Sequence, residues 1–419
     1  MIISRIYSFI LVLFTLSLTA QVQTNNIERC GTMRLDQHYR ELILDYATNR
    51  IASEQNVKSK LYANKSAGKI IIPVVIHVIY RLDDQNISDA QIQSQLDVMN
   101  KDFNKLNWDT MLVPAVWKPL IADCELEFKL ANRDPDGNVT SGITRTKTSI
   151  TDIASETGTV HYQTSQGGHD IWDRNSYLNI WVCEISGNTY GFASFPGAPA
   201  MSDGITIDFI SFGINGTSKL PTDRGRTVTH EVGHWLDLFH VWGPNSNLNC
   251  ESDFIDDTPI QRTANFSTNN ICPFFPDTSC FNDPNGDMFM NYMDYVDDKC
   301  MHMFTLDQKT RMIATLNGIR SSILTSSGYD GINELSADNF ITMSPNPCND
   351  FLHIDWSDNI EVHYIQLIDL QGSVIYSENY THTANELSIE VQNFINGIYF
   401  VRIQTSKGWI SKKILVNHQ

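Results

Sequence analysis

The motif that decides the fold of this chain is HEVGHWLDLFH, at residues 230–240. His230 and His234 are four residues apart, so on a helix both imidazoles project from one face and can share one zinc ion, with Glu231 beside them. His240 lies six residues further on and completes a three-nitrogen ligand set if the helix ends before it. Three protein ligands leave the fourth tetrahedral position to water, as in catalytic zinc sites. The alternative is a solvated helix whose histidines bind no metal.

The chemistry predicted by this ligand set is peptide hydrolysis without a covalent intermediate. Zinc lowers the pKa of a bound water towards about 7 and polarises the substrate carbonyl. Glu231 is then the general base that takes the proton from the water and delivers it to the departing amine.

The composition describes a soluble globular chain with a sizeable core. It has 419 residues, of which 42% are hydrophobic and 19% charged, which excludes wholesale disorder and a coiled coil. Thirty basic and 48 acidic residues give a net charge of −18, which disfavours nucleic acid and anionic lipid as partners.

The N-terminus has the pattern of a secretory signal peptide, which we assign to residues 1–20. Arg5 precedes an apolar run from Ile6 to Leu18, followed by the small residue Ala20. The run is too short to span a bilayer, and the alternative is a buried N-terminal helix. We therefore expect an exported monomer without a transmembrane anchor.

The patterning divides the remaining chain into a polar segment and two domains. Residues 21–65 are polar with a helical patch at 35–46, and we expect them to contribute little to a core. The β-branched run at 70–79 predicts a buried strand that opens a domain over 66–325, which includes a helix at 226–238. A polar linker at 326–340 precedes short, evenly spaced strands, which predict a small β-sandwich over 341–419.

At this point the chain resembles a known family. HExxHxxGxxH is the consensus of the metzincin metalloproteases, and the surrounding residues resemble the ulilysin-like branch of the pappalysin family. Besides the motif itself, the resemblance rests on YLNIWVC at 177–183 and NYMDY at 291–295, and it covers residues 70–322. It implies an α+β metzincin-like zincin fold: a twisted mixed sheet with a backing helix, an active-site helix and a loop-rich lower subdomain.

The resemblance assigns roles to three residues after the helix. Met293 forms the Met-turn beneath the zinc, and the hydroxyl of Tyr295 stabilises the tetrahedral oxyanion. Asp298 lies at the base of the S1′ pocket, which implies cleavage on the N-terminal side of Arg or Lys. The alternatives are a plain core Met, a surface Tyr and a solvated acidic run.

One position departs from the family pattern. Asp237 stands where the consensus has the Gly that turns the chain towards the third His. Asp is among the few other residues that tolerate positive φ, so we expect it to be accommodated.

Four of the eight cysteines lie in one loop region, and export permits disulfides. Sequence alone allows three pairings. The resemblance implies Cys250 with Cys280 and Cys272 with Cys300.

The same loop contains closely spaced oxygen ligands of the kind that calcium prefers, at residues 253 and 256–258. The resemblance implies a calcium site here, and Asp253 and Thr258 match its pattern best. The alternative is a solvated acidic turn.

Cys30, in the stretch Arg29-Cys30-Gly31-Thr32, resembles the cysteine switch of ulilysin-like zymogens. A thiolate is a strong zinc ligand and blocks catalysis by taking the place of water. The alternative is a disulfide to Cys124 or Cys183.

The C-terminal domain resembles the type IX secretion sorting domain of Bacteroidetes. The resemblance rests on SPNP at 344–347, NGIY at 396–399 and the basic pair at 412–413. It implies the type IX secretion machinery as a partner, and the alternative is a carbohydrate- or protein-binding module.

Taken together, these features predict a secreted zinc metalloendopeptidase that acts on protein or peptide substrates, is made as a latent zymogen and also binds calcium. The alternative is an inactive secreted binding or adhesion protein on the same scaffold.

Overall fold

The computed structural model describes residues 29–60, 69–187, 189–245, 249–329, 341–357, 361–370, 372–380, 385–405 and 408–418. The predicted signal peptide lies outside the described residues, as do 330–340 of the predicted linker. We refer to residues 29–60 as the N-terminal segment.

In the described part of the first domain there are five α-helices, several short 3-10 helices and a six-stranded sheet. The helices are α1 (Thr32–Leu42), α2 (Tyr46–Lys60), α3 (Asp89–Asp102), α4 (Arg226–Trp235) and α5 (Leu306–Asn317). The strands are β1 (Ile70–Tyr80), β2 (Leu126–Leu130), β3 (Ile143–Lys147), β4 (Leu178–Cys183), β5 (Gly191–Ala193) and β6 (Ile205–Asp208).

The sheet is mixed, as predicted, and β1 is its longest strand, one position in from the edge formed by β2 and β3. β1 pairs in parallel with β4 on one edge and with β2 and then β3 on the other. β4 pairs in parallel with β6, and β5 lies antiparallel to β6 at the end of the sheet.

The side chains of β1 alternate between the two faces of the sheet, and one of these faces packs against the helices. Ile72, Val74, Ile76 and Val78 are fully buried in the cluster that also contains apolar residues of α3 and α4. This packing places the motif helix α4 against the sheet, next to β5.

The N-terminal segment packs more tightly than its polar composition predicts. The expectation that it contributes little to a core is wrong: Leu35, Tyr39 and Tyr46 are buried in one cluster with Ile79 and Trp181. The predicted helical patch is also longer, since two helices extend to residue 60. A few large apolar side chains are enough to attach it to the domain.

The second domain has the predicted all-β architecture. Strands β9 (Val362–Ile368), β10 (Val374–Asn379), β12 (Gly397–Thr405) and β13 (Gly408–Val416) form one antiparallel sheet. Strands β7 (Ile341–Ser344), β8 (Phe351–Trp356) and β11 (Glu386–Glu390) form the other, and both sheets contribute to a common core. Among the described residues, none of the helices is long and apolar enough to cross a bilayer.

Candidate metal centre

Helix α4 carries the first two histidines on one face and ends early enough to free the third. Its last helical residue is Trp235, and the following turn places Asp237 at φ 76°. The prediction that Asp accepts positive φ here is therefore confirmed. After this turn the chain brings His240 back beneath the helix.

The three histidines point their Nε2 atoms towards one another. His234 Nε2 lies 3.1 Å from His230 Nε2 and 3.1 Å from His240 Nε2. His230 Nδ1 lies 2.6 Å from the carbonyl oxygen of Tyr292, and His234 Nδ1 lies 2.7 Å from that of Leu238. A carbonyl oxygen can only accept a hydrogen bond, so Nδ1 of His230 and of His234 carries the proton and the lone pair of each ring is on the converging Nε2 atom.

This arrangement fits zinc. All three imidazoles are buried, and burial lowers the pKa of each of them, so they are neutral and able to bind a metal. Tetrahedral zinc with bonds of about 2.0–2.1 Å holds nitrogen ligands roughly 3.3–3.4 Å apart, close to the spacing found here. Cys30 Sγ completes the group, and the four donor atoms lie within 4.8 Å of one another.

Met293 packs against α4 between the first two histidines of the motif. Its side chain is fully buried and lies so close to Gly233 that any side chain at that position would overlap the Met293 sulfur. The Gly between the two helical histidines is therefore required for close packing of α4 on this loop.

Glu231 lies beside the histidines and is in contact with the N-terminal segment. Its Oε2 accepts a hydrogen bond from the Thr32 hydroxyl at 2.8 Å and lies 3.5 Å from Cys30 Sγ. Its Oε1 has no hydrogen-bond partner among the described residues. Burial raises the pKa of Glu231 to about 8, opposed by hydrogen bonds from Cys30 and Thr32.

Tyr295 also contacts both the histidines and the N-terminal segment. Its ring centroid is 4.9 Å from that of His240, and its hydroxyl donates to the backbone carbonyl oxygen of Cys30 at 3.1 Å. The hydroxyl can therefore donate to a peptide carbonyl held next to the metal ligands.

The guanidinium of Arg29 is buried against Asp298. The two form a salt bridge in which both side chains are buried, and Arg29 also donates to the carbonyl oxygen of Val296 at 2.7 Å. The other Asp298 oxygen accepts from the backbone N–H groups of Arg224 and Arg226 at 2.9 and 3.0 Å. The carboxylate is thus fixed by the start of α4 and presents one oxygen to an arginine.

The N-terminal segment reaches these groups by running along β5. The backbone N–H of Gly31 donates to the carbonyl oxygen of Gly191 at 2.8 Å, and that of Tyr190 donates to the carbonyl oxygen of Arg29 at 3.1 Å. Cys30 and Gly191 form a parallel bridge. This contact fixes Arg29 and Cys30 over their respective sites.

The cysteines pair as the resemblance implies. Cys250 is bonded to Cys280 and Cys272 to Cys300. Cys30, Cys124 and Cys183 are free and buried, so the alternative disulfide of Cys30 is not formed.

The structure also brings Asp253 and Thr258 together. The Thr258 hydroxyl lies 2.8 and 2.9 Å from the two Asp253 carboxylate oxygens, and both residues are buried. Burial raises the pKa of Asp253 to about 7. Within the described part of the chain Asp253 forms no salt bridge, whereas Asp256 of the same turn is exposed.

Sequence reasoning missed the roles of several residues at this centre. Arg29 and Thr32 were recognised only as neighbours of Cys30, although they contact Asp298 and Glu231. The strand β5, along which they run, is only three residues long and gives no periodic signal. The only feature of the sequence that could have indicated these contacts is the position of Arg29 directly before the candidate switch residue Cys30.

Comparisons with known proteins place these features in context. The family described as pregnancy-associated plasma protein-A, within the M43 peptidases, matches residues 161–317. A secretion system C-terminal sorting domain matches residues 342–417. An extracellular metalloprotease of Pyricularia oryzae is 31% identical over 292 residues, which cover 68% of this chain and 87% of that protein.

Two solved structures are also similar. A mutant of Tannerella forsythia promirolysin is 41% identical with a TM-score of 0.65, and the match covers 71% of this chain and 97% of that one. Mature mirolysin from the same organism, in complex with a cleaved peptide, is 45% identical with a TM-score of 0.58, over 62% of this chain and 96% of that one.

Proposed function

Because this chain belongs to the pappalysin family of secreted metalloendopeptidases, we propose that it hydrolyses peptide bonds with Glu231 as the general base. The observation that carries the proposal is the convergence of three buried Nε2 atoms beside that carboxylate, two of them with their lone pairs directed inward. Nitrogen lone pairs this close repel one another unless a cation lies between them.

His230, His234 and His240 would hold the zinc ion. Bound there, zinc supplies a Lewis acid that lowers the pKa of a water ligand and polarises the scissile carbonyl. Glu231 accepts the proton of the attacking water at its carboxylate and then returns it to the amine that leaves. Tyr295 donates its hydroxyl hydrogen bond to the oxygen that becomes negatively charged, as it now donates to the Cys30 carbonyl oxygen.

The N-terminal segment makes this centre latent. Cys30 Sγ is grouped with the three histidines and would bind the metal in place of the water that hydrolysis requires. Thr32 donates to Glu231 and so engages the carboxylate oxygen that faces the segment. Removal of the segment exposes ligands, base and cleft together.

Asp298 sets the specificity for the residue after the scissile bond. In the latent form Arg29 fills its pocket, which is direct support for a site that accepts guanidinium groups. A planar guanidinium can bind a carboxylate and a carbonyl oxygen at once, whereas an ammonium acts as a point charge. We therefore propose cleavage before Arg, and more weakly before Lys.

Asp253 and Thr258 contribute to a calcium site that stabilises the disulfide-bonded loop. A buried carboxylate without a salt bridge is unfavourable, and Ca²⁺ prefers carboxylate and hydroxyl oxygens of this kind. The positive charge of the ion offsets the desolvation that raises the pKa of Asp253.

The C-terminal β-domain directs export through the type IX machinery, in keeping with the sorting-domain match. The chain as a whole is then a secreted precursor with an N-terminal segment that blocks activity and a C-terminal sorting domain that directs its export.

The experiment that tests the proposed function is digestion of a peptide library by the purified protein after removal of the N-terminal segment. We expect new N-termini beginning with Arg or Lys, loss of cleavage with a zinc chelator, and recovery on addition of zinc. Absence of cleavage by a correctly folded, zinc-loaded chain would overturn the proposal.

A further inference from the structure

A further buried contact, away from Cys30, joins the N-terminal segment to the rest of the first domain, which we call the catalytic domain. It is centred on Asp237, which is fully buried in the turn between His234 and His240. One carboxylate oxygen of Asp237 accepts from Arg50 Nη1 at 2.9 Å, and the other accepts from Arg311 Nη2 at 2.9 Å. Arg311 Nε also donates to the backbone carbonyl oxygen of Asp237 at 2.7 Å.

The Arg50 side chain comes from α2 and enters a site formed by the catalytic domain. It is 2% exposed, donates to the carbonyl oxygen of Pro196 at 3.0 Å and places its guanidinium carbon 4.6 Å from the ring centre of Phe195. A carboxylate, a carbonyl oxygen and an aromatic face together are the surroundings that suit an arginine.

α2 makes one more charged contact at this place. Glu54, one helical turn after Arg50, pairs with Arg311. Arg50 also lies 3.8 Å from the buried carboxylate of Asp36 on α1, so these charged groups form one network shared between the N-terminal segment and the catalytic domain.

We propose that Asp237 is the centre of an arginine-binding site that anchors the N-terminal segment independently of the metal. The proposal rests on the proposed latency, because it concerns how the blocking segment is retained. It predicts that the segment stays bound after the chain is cut between α2 and β1, even when no metal holds Cys30.

The anchor gives a physical reason for Asp at a position where the family consensus has Gly. Gly would satisfy the positive φ but would offer Arg50 no carboxylate. The carboxylate also remains paired when the segment leaves, since Arg311 belongs to α5 of the catalytic domain. Asp237 can therefore release Arg50 without becoming an isolated buried charge.

The test measures retention of the cut N-terminal segment. The full chain with Glu231→Gln carries a recognition sequence for a site-specific protease inserted at residues 61–68. After cleavage, a chelator removes the metal, and the rate at which the segment leaves the immobilised catalytic domain is measured. Arg50→Met and Asp237→Gly each remove one partner of the anchor.

Arg34→Met is the matched control. Arg34 lies in the same segment and also pairs with the catalytic domain, through Glu156, but its side chain is 43% exposed. Because water reaches the Arg34 guanidinium, its contacts with Glu156 and Thr189 are screened more than those of the buried Arg50 and should contribute less to binding. Where Arg50→Met does not fold, Arg50→Lys is used, which keeps the charge and loses the fork of donors.

We expect Arg50→Met and Asp237→Gly to speed release at least tenfold, Arg50→Lys to give an intermediate rate, and Arg34→Met to change it less than about twofold. The proposal would be overturned if the segment left Arg50→Met and Asp237→Gly no faster than it leaves the protein with an intact anchor. It would also be overturned if Arg34→Met accelerated release as much as these two variants do. Because the readout is binding in a chain without its general base, the result is independent of whether the protein cleaves peptides.

Discussion

Replacement of Asp298 by Asn tests the specificity pocket without dismantling it. The Asn carbonyl oxygen can accept the two backbone N–H groups of Arg224 and Arg226, which hold the start of α4. The amide NH₂ group then faces the place where Arg29 now lies, and it cannot accept a hydrogen bond from a guanidinium. The change therefore removes the charge and the acceptor but keeps the local fold.

The magnitude follows from the burial of this pair. Both side chains are almost inaccessible, at 5% and 0% exposure, and loss of one partner of such a pair costs about 3 kcal/mol. Since a tenfold change in rate corresponds to about 1.4 kcal/mol, kcat/KM for a substrate with Arg after the scissile bond should fall roughly 150-fold.

The assay compares peptides that differ only in that residue: Arg, Lys or Leu. Asp298→Asn should reduce cleavage before Arg most, before Lys less, and before Leu by less than about threefold. Asp297→Asn is the control, because it makes the same change one residue earlier, where the side chain is only partly buried. An equal loss for Arg and Leu, or no loss for Arg, would refute the role of Asp298.

Three further predictions concern latency, the oxyanion and calcium. Cys30→Ala should give a precursor that becomes active sooner, because no thiol then competes with water for the metal; an activation time course equal to that of the wild type would contradict this. Tyr295→Phe should lower kcat by about 10²–10³-fold with little change in KM, as measured with a fluorogenic peptide, and an unchanged kcat would exclude the hydroxyl from the reaction. Without calcium, burial raises the pKa of Asp253 from 3.8 to about 7, so the folded state binds a proton there more tightly than the unfolded state does. This carboxyl group therefore lowers the stability of the fold as pH rises from about 4 to about 7. Calcium should therefore raise Tm more at pH 8 than at pH 5, and Asp253→Asn should weaken that effect; an equal shift at both pH values would contradict the site.

The zinc centre was predictable from the sequence because its geometry is local. His230 and His234 share a helix face by their spacing alone, and the long first strand at 70–79 is apolar enough to be recognised without any partner. The helix end before His240 followed from the need to bring a third ligand under the metal.

The contacts of the N-terminal segment could not be predicted in this way. Arg50 and Asp237 are 187 residues apart, and neither residue carries a local sign of the other. The segment is polar overall, so its few buried residues, such as Leu35 and Tyr46, are not separated from an ordinary solvated helix by periodicity alone. The partners of a buried charge are fixed by tertiary packing, which only the folded structure reveals.

The most direct test of the central claim is Glu231→Gln in the chain freed of its N-terminal segment. The substitution keeps the size of the side chain and all three histidines but removes the group that accepts the proton. We predict about one zinc ion per chain by elemental analysis, together with a loss of peptide hydrolysis of about 10²–10⁴-fold. Hydrolysis at the wild-type rate by the zinc-loaded variant would contradict the account.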